Sequence, residues 1–251
     1  MTDPILPMRV TRLAALTHRI LGITLEPENG TSLAPAVAGA HIDVHIPCGP
    51  GLIRQYSLTN APGTRDRYEI AVLLEPQGRG GSAWIHSHLA VGDGLEISAP
   101  RDRFALFEPA PHHVLIAGGI GIAPIWSLAQ RLVQIGASWE LHYAAATESE
   151  AAFMGEIRTC GASKLKTYFS GEGQARLSFE VLARACAPDS HVYCCGPARM
   201  MDDFDAAFGA LPESQRHREH FAAMAAPATG GNFEVVLART GCTVQVREGQ
   251  T

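Results

Sequence analysis

Hydrophobic and polar residues alternate in short runs through the first hundred residues. In the run HIDVHI, aliphatic residues alternate with His and Asp, as in a strand with one buried face. Gly, Pro, Asn and Asp separate the runs that predict strands: HIDVHI (41–46), RQYSLT (54–59) and YEIAVLLE (68–75). One helix, SAWIHSHLA (82–90), is predicted among them. Many short strands with a single helix indicate an antiparallel Greek-key β-barrel over residues 1–105.

After Pro111 the pattern changes to apolar runs of strand length that alternate with amphipathic segments of helix length. The predicted strands are 112–119, 139–146, 164–170 and 191–196, and the predicted helices are 122–136, 149–160, 178–186 and 197–211. Such alternation is typical of a parallel sheet with crossover helices. We therefore predict a parallel-sheet α/β domain of Rossmann-like type over residues 106–225.

A stretch of small residues, AAPATGG, ends the α/β pattern and predicts a linker at 226–231. Beyond it, residues 232–251 alternate like two strands joined by a turn at Thr240 and Gly241. A lone hairpin is marginally stable in water because it buries too little apolar surface. This tail therefore either packs on the second domain or begins a further one.

Composition restricts the classes of protein that fit. Hydrophobic residues make up 46% of the 251 residues, enough for a sizeable core. The net charge is −5, and the 18 Arg and 2 Lys form no cluster, so no nucleic-acid partner is expected. The longest uncharged run, 114–130, is shorter than a membrane span, and no signal peptide is evident. Six cysteines without a CxxC pair indicate reduced thiols, so we expect a cytoplasmic protein with no membrane partner.

The segment QGRGGS (77–82) opens the first predicted helix and has the composition of an anion site. Backbone N–H groups at a helix N-terminus attract anions, glycine permits close approach, and Ser82 adds a hydroxyl. A plain glycine-rich turn is the competing interpretation. Arg54, one strand upstream, favours the anion site because its charge can balance a phosphate. In the same strand, Tyr56 shares a face with Arg54, whereas Ser57 takes the other face.

Two further segments join strands to helices in the second domain. AGGIGIAP (117–124) stands where α/β proteins bind pyrophosphate, but Pro124 replaces the third glycine of the dinucleotide fingerprint. A tight turn that needs glycine only for packing explains it equally well. YCCGPARMM (193–201) ends another strand, so Cys195 is predicted to face a crevice at the sheet edge and Cys194 to point into the core.

Three polar residues of the first strand run, His41, Asp43 and His45, share one face as metal ligands might. A solvated outer face of the barrel explains them better, because no further ligand set lies nearby in the sequence. We therefore expect no metal site formed by these residues.

Five motifs in order match one family: RQYSLTNAP, YEIAVLLEPQGRGGS, AGGIGIAP, HVYCCGPARMM and REHF. On these motifs the chain resembles the phthalate dioxygenase reductase and vanillate demethylase reductase type of the ferredoxin–NADP reductase superfamily. The resemblance implies an FMN-binding barrel at 1–105 and an NAD-binding α/β domain at 106–225. It also implies that electrons pass from NADH through FMN and a [2Fe-2S] cluster to a partner Rieske oxygenase.

The same resemblance implies roles for individual residues. Ser57, Cys195 and Glu219 would be catalytic, with Ser57 near the reactive part of the flavin ring and Cys195 beside the nicotinamide. The residues implied for flavin binding are Arg54, Gln55, Tyr56, Ser57, Ala71, Val72, Leu73, Gly78, Arg79, Gly80, Gly81, Ser82 and Phe221. Those implied for the dinucleotide are Gly118, Gly119, Ile120, Gly121, Ala123, Pro124, Cys195, Gly196 and Pro197. Hydride transfer needs stacked rings more than acid–base groups, which suits a chain without an evident catalytic dyad.

Three departures from the family pattern qualify these expectations. Ala123 stands where the family commonly has Thr, so a flavin-facing hydroxyl is missing. Ala145 and Ala146 replace a common Ser-Arg pair, and Glu148 and Glu150 follow, so NADH is expected rather than NADPH.

The third departure concerns the tail, which looks like the truncated start of a plant-type ferredoxin domain at 232–251. Cys242 is its single cysteine, whereas such a cluster needs four thiolates. A [2Fe-2S] cluster is therefore expected only in a longer form of the protein.

Other functions remain open at this stage. A non-catalytic electron-transfer subunit that binds flavin and nucleotide, or a reductase serving a cytochrome P450, would carry the same motifs. FMN is favoured over FAD because no aromatic-rich insertion follows QGRGGS. A monomer is expected.

Overall fold

The computed structural model describes residues 4–48, 51–221, 233–237 and 242–246. Residues up to Phe221 form one compact unit that contains a seven-stranded and a five-stranded sheet. The residues after it form a second unit, of which two strands are described. The predicted fold class, an antiparallel barrel followed by a parallel α/β sheet, is confirmed.

The first sheet is antiparallel and curls into an open barrel. Its strands are β1 (Ile5–Ala15), β2 (Ile20–Pro27), β3 (Ala40–His45), β4 (Ile53–Ser57), β5 (Tyr68–Leu73), β6 (Gly94–Ser98) and β7 (Arg101–Asp102). They run in the order β4-β3-β6-β1-β2-β5, with β7 beside β3. An isolated bridge between Leu58 and Ile70 joins the two ends of this order. Helix α1 (Gly81–His88) buries Ile85 in the aliphatic core of the barrel.

The second sheet is parallel and has the order β10-β9-β8-β11-β12. Its strands are β8 (His113–Gly118), β9 (Trp139–Ala145), β10 (Leu165–Phe169), β11 (His191–Cys195) and β12 (Arg216–Glu219). Its helices are α2 (Ile122–Gln134), α3 (Met154–Gly161), α4 (Phe179–Ala185) and α5 (Ala198–Ala207). Strand β8 is buried throughout, as expected of a strand covered on both faces.

The structure departs from the sequence prediction at one predicted helix and at several strands that had no separate prediction. The predicted helix 149–160 is wrong in its first turn: Glu148–Glu150 form a 3-10 turn and Phe153 has a φ of 63°, so α3 starts only at Met154. A non-glycine residue in the left-handed region interrupts a helix. Strands β1, β2, β6, β7 and β12 had no separate prediction; in β12, Arg216–Glu219, charged residues leave no apolar face.

Barrel and α/β sheet share part of one hydrophobic core. Ile20 and Ala71 of the barrel pack in the same cluster as Leu115 of β8 and Trp126 of α2. The Gln130 side-chain amide also donates to the backbone oxygen of Thr59, at 2.8 Å. The two sheets are thereby held in a defined relation, which any site formed by both requires.

In the second unit, β13 (Phe233–Leu237) and β14 (Cys242–Val246) pair antiparallel. This is the hairpin predicted for the tail; its turn and the predicted linker at 226–231 lie outside the described residues. Among the helices of the described ranges, none has the length and apolar character needed to cross a membrane.

Candidate functional site

Strand β4 presents different side chains to its two faces. Arg54 and Tyr56 stand opposite Val44 and Ile42 of β3, whereas Ser57 stands opposite His41. Side chains of directly opposed residues share a face of the sheet. Arg54 and Tyr56 therefore lie on the side of the aliphatic residues of β3, and Ser57 lies on the other side, as the alternation in the sequence predicted.

An anion cradle forms where Arg54 meets the start of α1. A Cβ at Gly81 would come within 2.9 Å of the Ile46 Cδ1 and 3.3 Å of the Arg54 Cγ, so glycine permits this close packing. The Arg54 Nη1 donates to the backbone oxygen of Ile53 at 2.7 Å, whereas its buried Nη2 has no hydrogen-bond partner among the described residues. A buried donor without a partner is costly, so the site favours an anion.

The backbone around this cradle supplies further donors. Gly80 precedes α1 with a φ of 87°, and the first turn of α1 contains no acidic residue. The Ser82 hydroxyl accepts from the backbone N–H of Glu75 at 3.0 Å and keeps its own proton to donate. Positive charge, helix N–H groups and a hydroxyl together fit a phosphate group, as a flavin mononucleotide carries.

Tyr56 and the strand β5 border the cradle. Tyr56 is half-buried, and burial raises the pKa of its hydroxyl to about 12, so its ring stays neutral at physiological pH. Ala71 and Val72 are buried and Leu73 is half-buried. The implied flavin residues Gln55, Gly78, Arg79 and Gly80 are exposed.

A hydrogen bond connects the barrel with the edge strand of the parallel sheet. The Ser57 hydroxyl donates to the Glu219 Oε2 across 3.3 Å, although the two residues are 162 positions apart in the chain. Burial raises the pKa of the Glu219 carboxyl to about 7; the charge of Asp102 adds to this rise and the Ser57 bond opposes it. Near neutral pH this carboxyl can therefore hold or release a proton beside Ser57.

Cys195 lies on β11 directly beside Glu219 in the parallel register. The prediction that its side chain faces an open crevice is not what the structure shows: Cys195 and Cys194 are both fully buried. Burial, with the charge of Glu219, raises the pKa of the Cys195 thiol, so the sulfur stays protonated. Phe221, two residues beyond Glu219, keeps 41% of its surface exposed.

The segment AGGIGIAP forms the end of β8, a 3-10 turn at Gly119–Gly121 and the start of α2. A side chain at Gly121 would collide with the backbone oxygen of Cys195, so glycine is needed there for packing. Gly118 and Gly119 instead border a pocket of about 570 Å³ at the carboxyl ends of the strands. Gly121 thus fits the interpretation of a tight turn that needs glycine for packing, whereas Gly118 and Gly119 fit the interpretation of a ligand-binding turn.

The pocket separates the predicted dinucleotide residues into two groups. Gly118, Gly119 and Pro197 line it. Those that do not line it are Ile120, Gly121, Ala123, Pro124, Cys195 and Gly196. Ala145 and Ala146, which the sequence analysis linked to the choice of nucleotide, and Arg199 and Met200 of the motif YCCGPARMM also line it. The remaining wall residues were not singled out in the sequence: Ala144, Tyr168, Ser170, Arg176, Leu177, Phe179 and Asp203. The position of Tyr168 and Ser170 at the end of a predicted strand was the one available hint.

Two cations and two aromatic rings give this pocket its chemistry. Arg176 and Arg199 are exposed, and neither has an ion-pair partner in the described part of the chain. Tyr168 is half-buried and Phe179 is buried. Unpaired arginines with aromatic walls and a floor of small residues suit a ligand that combines phosphates with a flat ring.

The face shared by His41, Asp43 and His45 was expected to be solvated, but the structure buries part of it. His41 is 4% exposed, because β7 pairs with β3 at His41 and the following segment covers it. The described residues contain no group of three or more His, Cys, Asp or Glu placed to hold a metal ion.

The α/β part of the chain matches the oxidoreductase NAD-binding domain family over residues 115–206. The phenoxybenzoate dioxygenase subunit beta of Ectopseudomonas oleovorans is 43% identical over 97% of this chain and 76% of its own length. The structure of phthalate dioxygenase reductase, described as modular for electron transfer from pyridine nucleotides to [2Fe-2S], is 32% identical with a TM-score of 0.82. That match covers 97% of this chain and 77% of the reductase.

The structure of an intact type IV self-sufficient cytochrome P450 monooxygenase is also similar, with 35% identity and a TM-score of 0.88. The match covers 98% of this chain but 32% of that longer one.

The fold and the matching family model define an oxidoreductase with an NAD-binding domain. The chain belongs to the phthalate dioxygenase reductase and vanillate demethylase reductase family, whose members are reductase components of oxygenase systems.

Glu219→Gln should change how stability depends on pH. An unfolded glutamate ionises near pH 4.3, whereas burial raises the pKa of folded Glu219 to about 7. Between these values the folded state binds more protons, so the stability this carboxyl contributes falls as pH rises, by up to about 1.4 kcal/mol per pH unit. We expect the free energy of unfolding of the variant, relative to that of wild type, to increase as the pH rises from 5 to 7.5. Urea unfolding at several pH values measures it.

The exposed Glu156→Gln variant removes one carboxylate of the same type and serves as the control. A constant difference between Glu219→Gln and wild type would show that Glu219 ionises normally in the folded protein.

Proposed function

We propose that this chain is an NADH-dependent FMN reductase that supplies electrons to a partner Rieske oxygenase. The Ser57–Glu219 hydrogen bond is the observation that carries the proposal. It joins the strand that leads to the anion cradle with the strand beside the dinucleotide pocket. A flavin held by the cradle and a nicotinamide from the pocket would meet at this bond.

The fit of the residues to FMN is specific at the phosphate. Arg54, with its unpartnered buried Nη2, and the N–H groups of Gly80, Gly81 and Ser82 would hold the phosphate. Tyr56 and the exposed Phe221 would flank the ring system, and the backbone of 71–73 would border its edge. When bound, the flavin supplies a ring that accepts hydride and releases electrons singly.

Protons would be handled by the chain itself. The Glu219 carboxyl, with a pKa of about 7, would take up or release a proton, and the Ser57 hydroxyl 3.3 Å away would relay it by accepting one proton as it donates its own. Cys195 beside it stays a neutral thiol and occupies space next to the strand end. Its role would be to shape the nicotinamide position, because its buried sulfur is neither charged nor exposed.

FAD is the second candidate flavin, and one observation favours it. Trp84 and His88 stack with ring centroids 5.6 Å apart and line a pocket of about 470 Å³ together with Arg79 and Gly80. An aromatic pair beside a phosphate cradle suits an adenine ring. FMN remains the proposal for two reasons. A single phosphate group is enough to occupy the cradle, and Trp84 belongs to helix α1 rather than to an aromatic-rich insertion after QGRGGS.

The preference for NADH rests on Ala145 and Ala146, which line the pocket at the position where the family resemblance implies a Ser-Arg pair. The carboxylates that follow contribute less than expected: Glu148 pairs with Arg158 at 2.6 Å, and Glu150 lies 3.6 Å from His18. Arg176 lies in the pocket wall without an ion-pair partner among the described residues and could receive a 2′-phosphate. NADH is therefore proposed as the preferred, not the exclusive, donor.

The proposed acceptor follows from the relatives. The 43% identical dioxygenase subunit and the reductase that transfers electrons to [2Fe-2S] both support a Rieske oxygenase partner reached through such a cluster. A cytochrome P450 is the alternative acceptor, supported by the similar P450 monooxygenase. We propose that the reductase chain itself is a cytoplasmic monomer.

Anaerobic mixing with NADH tests the function. The protein loaded with FMN should lose its absorbance near 450 nm on adding NADH, more slowly with NADPH, and should then reduce ferricyanide in steady state. Flavin released by heat from the purified protein should co-migrate with FMN. A protein that binds flavin but shows no turnover would instead be a non-catalytic electron-transfer subunit. A protein that takes up no flavin would contradict both proposals.

Arg54→Ala and Ser57→Ala should affect different steps. Loss of a charge-assisted phosphate contact should weaken FMN binding at least tenfold, measured by fluorescence titration. Loss of the Ser57 hydroxyl should slow reduction by NADH about tenfold and change FMN affinity less than threefold. Arg9→Ala, an exposed barrel arginine paired with Glu28, is the matched control and should change neither. If both variants keep wild-type affinity and rate, β4 has no part in the site.

A further inference from the structure

A chain of polar side chains crosses β9 and β10 without a part in the function described so far. The Lys166 Nζ lies 2.7 Å from the Glu140 Oε2, and the Glu140 Oε1 lies 3.5 Å from the His142 Nε2. The His142 Nδ1 in turn lies 2.8 Å from the Tyr168 hydroxyl. His142 is 2% exposed, whereas Lys166 is exposed. The chain thus leads from the surface to a buried imidazole and ends at Tyr168.

The neighbours of His142 fix which ring nitrogen carries its proton. Burial lowers the pKa of His142, so the imidazole is neutral and has one N–H. The Glu140 carboxylate favours that proton on Nε2, which leaves Nδ1 to accept from the Tyr168 hydroxyl. The two rings also stack, with centroids 5.9 Å apart and planes 15° apart. Both contacts restrict the orientation of the Tyr168 ring.

Tyr168 is a wall of the dinucleotide pocket, at the end far from the Ser57–Glu219 bond. Strand β10 is the opposite edge of the sheet from β12. Neighbouring strands lie about 4.8 Å apart, so four spacings separate these edges by roughly 19 Å. A dinucleotide with its nicotinamide near Glu219 must extend its other half toward β10. Tyr168 and Phe179 are the aromatic residues that line the pocket.

We propose that Tyr168 is the aromatic wall for the adenine half of the dinucleotide, and that His142 is a positioning residue that holds its ring through the hydroxyl. This inference rests on the proposed function, since it assigns the NADH pocket in more detail. A ring fixed before binding costs no ordering entropy when the ligand arrives, so the bond should contribute to affinity without entering the chemistry.

Separate binding of the two halves of the dinucleotide tests whether Tyr168 contacts the adenine half. AMP and nicotinamide mononucleotide are titrated separately by calorimetry against the FMN-loaded wild type and its variants. Tyr168→Phe removes the hydroxyl, and His142→Phe removes its partner. We expect each to weaken AMP binding fivefold to tenfold and to leave the mononucleotide unchanged. In steady state, KM for NADH should rise while kcat stays constant.

Two further variants separate positioning from general stability. His142→Asn keeps a polar atom near the position of Nδ1 and should restore most of the AMP affinity. Tyr193→Phe removes another buried tyrosine hydroxyl, which accepts from the Phe107 N–H at 2.8 Å, and Tyr193 does not line the pocket. It should leave AMP binding unchanged.

Unchanged AMP affinity in Tyr168→Phe and His142→Phe would overturn the inference, as would an equal loss for the nicotinamide mononucleotide or for Tyr193→Phe. A wild type that binds AMP with this dependence but is not reduced by NADH would support the inference and contradict the proposed function. A wild type that binds neither AMP nor NADH would contradict both.

Discussion

The hydrogen bond from Ser57 to Glu219 is one of the contacts that join the barrel to the parallel sheet, and it lies where we propose that the flavin and the nicotinamide meet. Ser57 belongs to an edge strand of the barrel, and Glu219 ends the four-residue edge strand β12 of the parallel sheet. Neither strand has a neighbour on its outer edge that would fix it as firmly as an interior strand. The shared core beneath them, with Ile20 and Ala71 of the barrel against Leu115 of β8, holds the sheets in place so that the bond can form.

The two sites on either side of this bond are built from different chemistry. The barrel contributes a compact anion cradle in which an arginine is packed against a helix start and one of its donors has no partner in the described chain. The parallel sheet contributes a pocket of about 570 Å³ at its strand ends, with two arginines that have no ion-pair partner in the described part of the chain and with two aromatic rings. A phosphate on a fixed ring suits the first, and an extended dinucleotide suits the second. Between them lies a carboxyl whose pKa is about 7, which is suited to exchanging protons near neutral pH.

Local sequence patterns predicted the architecture because each strand and helix of the second domain carries its own periodicity. Arg54, Tyr56 and Ser57 were assigned to opposite faces of one strand by alternation alone, and the register confirms that assignment. Phe153, by contrast, leaves the right-handed helical region in the middle of a helical pattern, and no residue type marks that position. Strand β12 was missed because its charged residues alternate with no apolar face; pairing with β11 defines it.

The candidate site was predictable where a motif carries it and not where distant residues assemble it. The glycine-rich segments identified the cradle and one edge of the pocket. Arg176 and the His142–Tyr168 bond come together only through the packing of distant segments, so no local pattern could reveal them. Arg199 lies in the motif YCCGPARMM, but its place in the pocket wall also depends on that packing. For Cys195, the predicted position at the end of a strand is correct, but neighbouring elements bury its side chain completely, which the sequence did not indicate.

A double-mutant cycle on Ser57→Ala and Glu219→Ala, followed by urea unfolding at pH 7.5, tests the central claim that this bond couples the two halves. If the bond contributes as described, the two effects should be non-additive by about 0.5–1.5 kcal/mol, the range for one hydrogen bond between neighbouring side chains. Effects that add within error would contradict the account, because the two side chains would then act independently of each other.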